Sequence, residues 1–596
     1  MNKLISLIIA VAVIIGTVPV AGAGNPDEAF IDDYVSDIVE VDAAGGAVIA
    51  VLKDGEFVFH KAYGEAMSGV PATIDNVWEW GSISKLLIWV SAFQLVEQGK
   101  LDLGADIRGY LPDNFFKKLR HNEPITFYNL MHHNAGWEDT MKNIFVRNPN
   151  KIQTLEESLR ISEPNQIFKP GEIMAYSNYA SGVAGFVIER IAGISYWQYV
   201  NENIFAPLNM NDTAIHPTQA DNPEVGTRRE QMAENRRIYI PIYPAGSVIG
   251  TSGDLAKFMT ALIGNSADSQ LFASPETQMQ MLTTSYWAAE HTDEPIPRVA
   301  HGFFVYDYSV RAVGHSGGTD SFATNAAFVP ETGLTVIVLT SQQWGSKLYW
   351  GLFDELFGGQ RHVPIPEDRS ELPNAQDVAG HYRATRVAFT GYAKIMQYFL
   401  KFTAVDENTI LLGGKYEYTQ IAPYVFQCLE EGYRISFDVK SGTVTRLSAP
   451  GSDHIPATVF EVGVVYVGYA AFVSVAVYAV VAIVLLVIGM VKRKRRGEKA
   501  NILQKLNCAL CFSIFALVAN VALLVARAFA YATYSELQAY FAVNMVFVAV
   551  AAGLIAAMII RRKHCELLRR SKLFCAFTGI VAAIAAAALF GWELFY

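Results

Sequence analysis

The sequence predicts an α+β domain, then a small antiparallel β-domain, then four transmembrane helices, along 596 residues. Three observations carry this reading. Strand-like and helical patterns alternate through the first 358 residues. Short alternating runs recur from Asp377 to Pro456. Four uncharged stretches near the C-terminus are each long enough to cross a bilayer. A hydrophobic content of 52% agrees, being too high for an entirely soluble chain.

The N-terminus places Lys3 before an apolar run from Leu4 to Ile15 and then Ala21-Gly22-Ala23. That is the charge, apolar core and small-residue order of a secretory signal, with cleavage expected after Ala23. An uncleaved anchor helix is the alternative, but the run falls short of the ~20 residues a span needs. Either reading sends the following domain out of the cytoplasm. Of five cysteines only Cys428 lies outside the C-terminal apolar region, so the exported part forms no internal disulfide and relies on its core. Cys508 and Cys511 sit inside an apolar run without a second ligand pair, and are read as helix packing rather than metal or redox chemistry.

In the first domain, residues 28–358, Gly46 to Lys53 and Phe57 to His60 read as two strands joined by a hairpin at Lys53-Asp-Gly55. Helical spacing follows from Ser82 to about Gln98, with Leu86, Trp89, Val90, Phe93 and Val96 on one face. Strand patterns return at Ala300 to Tyr308 and at Phe322 to Thr340. Residues 359–376, rich in Pro and charge without periodicity, are expected to be a linker. The small β-domain, residues 377–456, shows no catalytic constellation and is expected to space the first domain from the bilayer.

The four spans are Val462 to Val491, Leu506 to Ala526, Leu537 to Ile560 and Leu573 to Trp592, in a region 462–596. Lys492 to Arg496 lie between the first two, and Arg561, Arg562, Lys563, Arg569, Arg570 and Lys572 between the last two. Both loops are therefore cytoplasmic, which puts the segment before Val462 outside and predicts a multi-pass cell-membrane protein. Arg527, at a helix end, is expected to snorkel to the interface. The net charge of −10 reflects an acidic excess in the exported part, and excludes nucleic acid as a partner.

Three short motifs carry chemistry. Ser82-Ile83-Ser84-Lys85 puts a hydroxyl and an ammonium on one helix face, as a serine nucleophile with an adjacent base requires. Taken alone, the spacing is common by chance, and the same residues read first as a capping serine and a solvated lysine. Tyr176-Ser177-Asn178 follows Lys169-Pro-Gly171 and precedes a helix, so that a tyrosine can pass a proton and an asparagine can hold an amide. His315-Ser316-Gly317-Gly318 would let a substrate backbone lie against a sheet edge. The pair His132-His133 has no partner at zinc spacing and is read as structural.

In this order and spacing the motifs resemble the set that marks the serine β-lactamase and penicillin-binding-protein superfamily, in its class C, D,D-peptidase and esterase branch. Pro207-Leu208-Asn209-Met210, Ala245-Gly246-Ser247 and Ser252-Gly253-Asp254-Leu255 extend the likeness over residues 28 to 358. The resemblance implies an antiparallel sheet flanked by helices, and a two-step acyl transfer without metal or cofactor. It implies Ser82 as acylated nucleophile, with Lys85 and Tyr176 sharing the base and proton-return work. Asn178 would bind the substrate amide, while the backbone of Ser82 and Gly318, beside Gly317, would form the oxyanion hole. His315 stands where many relatives carry a lysine, a weaker clamp for a substrate carboxylate. The expected partners are the bilayer and a small-molecule or peptide substrate: a D-amino-acid peptide, a small ester, or an acylated peptide whose tail sits in the membrane. The order of domains also resembles that of some prodrug-activating peptidases. A non-hydrolytic ligand-binding or sensor protein is the competing class; the cytoplasmic loops are too short to hold a domain that would receive its signal.

Overall fold

Strand β1 (Gly46–Lys53) is an almost unbroken apolar run because both of its faces are covered. Val48, Ala50 and Leu52 join one core, while Ala47, Ile49 and Val51 join another on the opposite face. Asp54 and Gly55, both at positive φ, turn the chain into β2 (Glu56–Met67), which gives the predicted hairpin. The computed structural model describes residues 28–39, 45–232, 237–263, 271–341, 345–562 and 569–596. The expected signal, residues 1–23, lies outside the described residues.

Nine strands form the central antiparallel sheet in the order β3-β2-β1-β9-β8-β7-β6-β5-β4. The remaining members are β3 (Val70–Pro71), β4 (Tyr286–Ala288), β5 (Ile296–Ala300), β6 (Phe303–Asp307), β7 (Arg311–Gly318), β8 (Phe322–Val329) and β9 (Leu334–Ser341). Helices α1 (Glu28–Val39) and α4 (Gly345–Leu356) cover one face. The other face carries the larger helical layer, centred on α2 (Lys85–Glu97) and α3 (Asn178–Ala192). Every residue of α2 from Lys85 to Leu95 is buried, so the helix is enclosed all round and not along the single predicted stripe. Two of its buried polar side chains are bonded: Ser91 Oγ donates to Leu87 O, and Gln94 Nε2 to Leu271 O.

An eight-stranded closed barrel follows, from β10 (Gly380–Ala384) through β11 (Phe399–Ala404), β12 (Thr409–Leu412), β13 (Tyr416–Ala422), β14 (Val425–Cys428), β15 (Arg434–Lys440) and β16 (Thr443–Ala449) to β17 (Ser452–Ala457). Tyr382, Phe402, Phe426 and Phe437 fill it. Sheet domain and barrel form one compact unit, and the stretch between them is bonded rather than free. Arg361 N donates to Asp307 O at 2.9 Å, and Val363 N to Gln427 Oε1 at 2.8 Å. Fully buried Asp453 of β17 pairs with Arg298 of β5 and accepts from Met174 N at 2.8 Å.

A second unit holds four helices long and apolar enough to cross a membrane: α5 (Val459–Arg496), α6 (Ile502–Phe529), α7 (Tyr534–Arg561) and α8 (Arg569–Gly591). Val475, Ala479, Leu510, Ile514, Ala582 and Ala585 form its centre. Small residues let these helices approach, and polar groups tie them, as where Asn520 Nδ2 donates to Asn544 Oδ1 at 2.8 Å. Arg527, near the end of α6, is 48% exposed and meets Glu536, in the first turn of α7, at 3.6 Å. Cys511 is buried between helices, and no cluster of metal-binding side chains exists among the described residues.

Replacing Asp453 with Ala should leave Arg298 buried and unpaired, at a cost of about 3–5 kcal/mol. A markedly lower midpoint of thermal unfolding in detergent, followed by tryptophan fluorescence, is the expected result.

Candidate active site

The site forms where α2 begins beneath the open end of β7. Ser82 lies in a 3-10 turn, Gly81–Ser84, that leads into α2, so the α-helix proper opens at Lys85. Two glycines make this approach possible. Gly81 has φ of +52°, and a Cβ there would stand 2.8 Å from Gly318 N. A Cβ on Gly317 would lie 2.1 Å from Trp80 O. Thr324 Oγ1 of β8 donates to Trp80 O at 3.0 Å and locks the turn against the sheet. Ser84 points away from the site, donating to Gly81 O and accepting from Val248 N.

Strand β6 pairs with β7 only from Arg311 to Gly314, which leaves the edge from His315 to Gly318 unpaired on that side. Thr319 N bonds to Phe322 O across the β7–β8 turn, so ladder alternation turns Gly318 N outward, towards Ser82. Nothing stands within 4 Å of a Cβ on Gly318, so its surroundings are open to a ligand.

Lys85 is completely buried. Its Nζ lies 2.9 Å from Ser82 Oγ, 2.9 Å from Asn178 Oδ1 and 2.6 Å from Ala245 O. Burial, with a smaller contribution from the charge of Arg386, pushes its pKa well below the ordinary 10.5. A neutral amine has two protons and one lone pair, and its three neighbours match that inventory. Asn178 Oδ1 and Ala245 O can only accept, whereas the Ser82 hydroxyl can donate into the lone pair.

Tyr176 sits over this group, with Lys85 Nζ 5.0 Å from its ring centre. Its hydroxyl is buried near Ser82 without a bond of ordinary geometry, and burial raises its pKa to about 12. The segment before it is held by the barrel: Tyr176 N donates to Ser452 Oγ at 3.2 Å, and Asp453 N to Met174 O at 2.7 Å. From the other side, His133 accepts from Ser177 N at 3.3 Å and packs its ring 4.4 Å from that of Tyr176. His133 thus has a positioning function in the geometry. His132 bonds to Ser285 and stacks on Tyr286. Asn178 opens α3 one residue after its cap, where Ser177 Oγ accepts from Ala180 N.

His315 is buried with Nδ1 2.5 Å from Ser316 O, and its pKa is lowered to about 3 by burial first and by Lys85 next. The imidazole is therefore neutral at physiological pH. Phe304 packs against both His315 and Tyr176, and with Ser316 borders a cavity of about 490 Å³ whose wall includes Tyr306, Trp350, Tyr418 and Tyr433.

All seven residues singled out in the sequence, Ser82, Lys85, Tyr176, Asn178, His315, Gly317 and Gly318, thus lie around one point. Two contributors carry no motif of their own. The Ala245 carbonyl belongs to a segment marked only by its likeness to a family pattern. Arg386, whose guanidinium carbon lies 4.4 Å from the Tyr176 ring centre, comes from the barrel. Nothing in Thr385-Arg386-Val387 distinguishes it from a surface arginine.

The β-lactamase family model matches residues 31–348. Penicillin-binding protein 4 of Amycolatopsis lactamdurans is 22% identical over 339 residues, 54% of this chain and 87% of that protein. The D-alanyl-D-alanine-carboxypeptidase/endopeptidase AmpH of Escherichia coli K12 is 25% identical over 328 residues, 52% and 83% respectively. The octameric penicillin-binding protein homologue of Pyrococcus abyssi superposes with a TM-score of 0.47 at 20% identity, across 72% of this chain and all of that one. With the family model spanning more than half of its length, the chain belongs to the β-lactamase family of serine hydrolases.

Proposed function

We propose that the protein is a membrane-anchored hydrolase, working on the extracytoplasmic side, that cleaves amide or ester bonds through an acyl-enzyme on Ser82. The observation that carries this reading is the buried, pKa-depressed Lys85 amine 2.9 Å from the Ser82 hydroxyl. As Ser82 Oγ attacks a carbonyl carbon, its proton passes to Lys85 Nζ. The oxygen of the tetrahedral intermediate is held by Ser82 N and Gly318 N, donors fixed before the reaction by the turn and the strand. Asn178, its Oδ1 occupied by Lys85, has its NH₂ left to hold the substrate amide. Tyr176, protonated because its pKa lies near 12, delivers a proton to the leaving group and is recharged from Lys85. Water then attacks the ester carbonyl, and the same groups run in reverse to free Ser82.

D-Amino-acid peptides are one substrate class this reading takes in, together with small esters and acylated peptides. The relative from Escherichia coli is named for D-alanyl-D-alanine. The aromatic cavity beside Phe304 offers room for an apolar substituent. Extracytoplasmic placement is supported by the secretory pattern at the N-terminus and by the basic loops between the apolar spans.

Mass spectrometry of the detergent-solubilised protein after exposure to penicillin, a short activated ester and a D-amino-acid amide should show an adduct on Ser82 that is absent from Ser82→Ala. An adduct that persists in S82A, or turnover unchanged by it, would disprove the assignment; one acylation without release would favour the sensor class.

A base whose pKa is depressed becomes neutral at lower pH, so kcat/KM should rise with pH through a value well under 10.5 and fall when Lys85 is replaced by Met. With its pKa near 3, His315 should add no inflection near pH 6.5. His315→Asn should change the rate without moving the profile between about pH 5 and 8.

A further inference from the structure

The insert between β10 and β11 has a composition unlike that of a water-facing loop. Val387–Phe399 belongs to the four-helix unit, and Lys394 is its single charged residue. Its bonds run to the ends of two apolar helices. Tyr469 Oη of α5 donates to Ile395 O at 2.8 Å and to Gln397 O at 3.0 Å. Just beyond α8, Glu593 accepts from Gly391 N at 2.7 Å and from Lys394 Nζ at 3.0 Å, while Tyr392 N donates to Tyr596 O at 3.2 Å.

Two helices independently place these anchors at one depth. The hydrocarbon core of a bilayer takes ~20 helical residues. Counted back from the basic run that starts at Lys492, that length of α5 ends near Phe472, one turn short of Tyr469. Counted forward from Lys572, the same length of α8 reaches Trp592. The rings of Tyr469 and Trp592 stack with centroids 4.9 Å apart, and such aromatic pairs suit the boundary between lipid and water.

The polarity of the insert is inverted to match that depth. Non-helical backbone enters this zone only where protein meets its polar groups. The carbonyls of Ile395 and Gln397 are taken by Tyr469, Lys394 N donates to Gly391 O at 3.0 Å, and Gln397 N donates to Lys394 O at 3.3 Å. The charge of Lys394 is matched by Glu593. Polar Gln397 is buried, whereas its apolar and aromatic neighbours Met396 and Tyr398 are 49% and 38% exposed. Tyr466, exposed on α5, stands 6.3 Å from Tyr469 ring to ring, so the anchor of the insert continues into the outward-facing flank of that helix.

We infer that residues 392–398 lie in the interfacial layer of the bilayer, with Met396 and Tyr398 against lipid. The insert of the barrel is thus a membrane-binding element in its own right, in addition to the four helices. This rests on the reading of those helices as membrane spans.

The test uses the full-length protein in dioleoylphosphatidylcholine nanodiscs, with Met396→Cys and Tyr398→Cys as single-site variants and wild type to measure the native thiols. Each is labelled with a sulfonated maleimide and with uncharged N-ethylmaleimide. The ratio of the two rates, which cancels the reactivity of the thiol itself, is compared with that of two exposed controls, Met279→Cys on the sheet domain and Val467→Cys on α5. A charged reagent is excluded from lipid, so the ratio at both insert positions should fall roughly tenfold or more below that of the Met279 position and approach that of the Val467 position. Insert ratios equal to that of the Met279 position, with the Val467 position still low, overturn the proposal and leave the spans intact. A Val467 ratio equal to that of the Met279 position removes the membrane reading itself, and the proposal with it.

Discussion

The structure depends on burying an amine. Lysine in a protein interior is costly unless its protons are met, and here the cost is offset by neutralising the group and matching its remaining donors and lone pair to three partners. That solution makes demands far from Lys85. Helix α2 must be apolar all round to exclude water, the segment at Ala245 must present a carbonyl, and α3 must start where Asn178 can turn its Oδ1 inward. Three stretches far apart in the sequence converge on one nitrogen. The 3-10 turn that carries Ser82 must then approach β7 so closely that side chains at 81 and 317 would collide with backbone.

A second constraint concerns the tyrosine. A buried hydroxyl without a bond partner can pass a proton reproducibly only if its backbone is immobilised, because no bond at its tip holds it in place. Met174 to Tyr176 is gripped between His133 on one side and Ser452, Asp453 and Thr385 of the barrel on the other. The barrel therefore takes part in holding the segment that carries Tyr176. Its last strand completes the support of a residue in the neighbouring domain, and Asp453 joins that strand to β5 through Arg298.

Much of this was legible in the chain. A spacing of three joins Ser82 to Lys85 within one turn, the hairpin at Asp54-Gly55 follows from its turn residues, and long uncharged runs leave no reading but apolar helices. These are local signals, in which neighbours in sequence determine the outcome. What escaped is non-local. That Ser82 lies in a 3-10 turn follows from the collision geometry at Gly317, more than two hundred residues away. Burial on every side of α2 follows from a second layer of helices, which one-faced periodicity cannot reveal. Short alternating runs give strands but do not say that eight of them close into a barrel. Arg386 is the clearest case, since its environment is made wholly by a tertiary contact.

An uncharged residue on the sheet edge has a consequence for how the site and the barrel are joined. A lysine on β7 would be held by the strand that also holds the substrate backbone, and would recognise an anion whatever the barrel did. With a neutral His315 on the strand, the edge from His315 to Gly318 offers unpaired backbone groups but no charge. The guanidinium of Arg386 approaches Tyr176 from the barrel, on a bend whose position is set by Thr385, Asp453 and Met174. The bonds that stabilise the domain contact are thus the same ones that aim the guanidinium. Loosening that contact would shift Tyr176 and Arg386 before it shifted Ser82, Lys85 and Asn178, because those three are anchored entirely within the sheet domain.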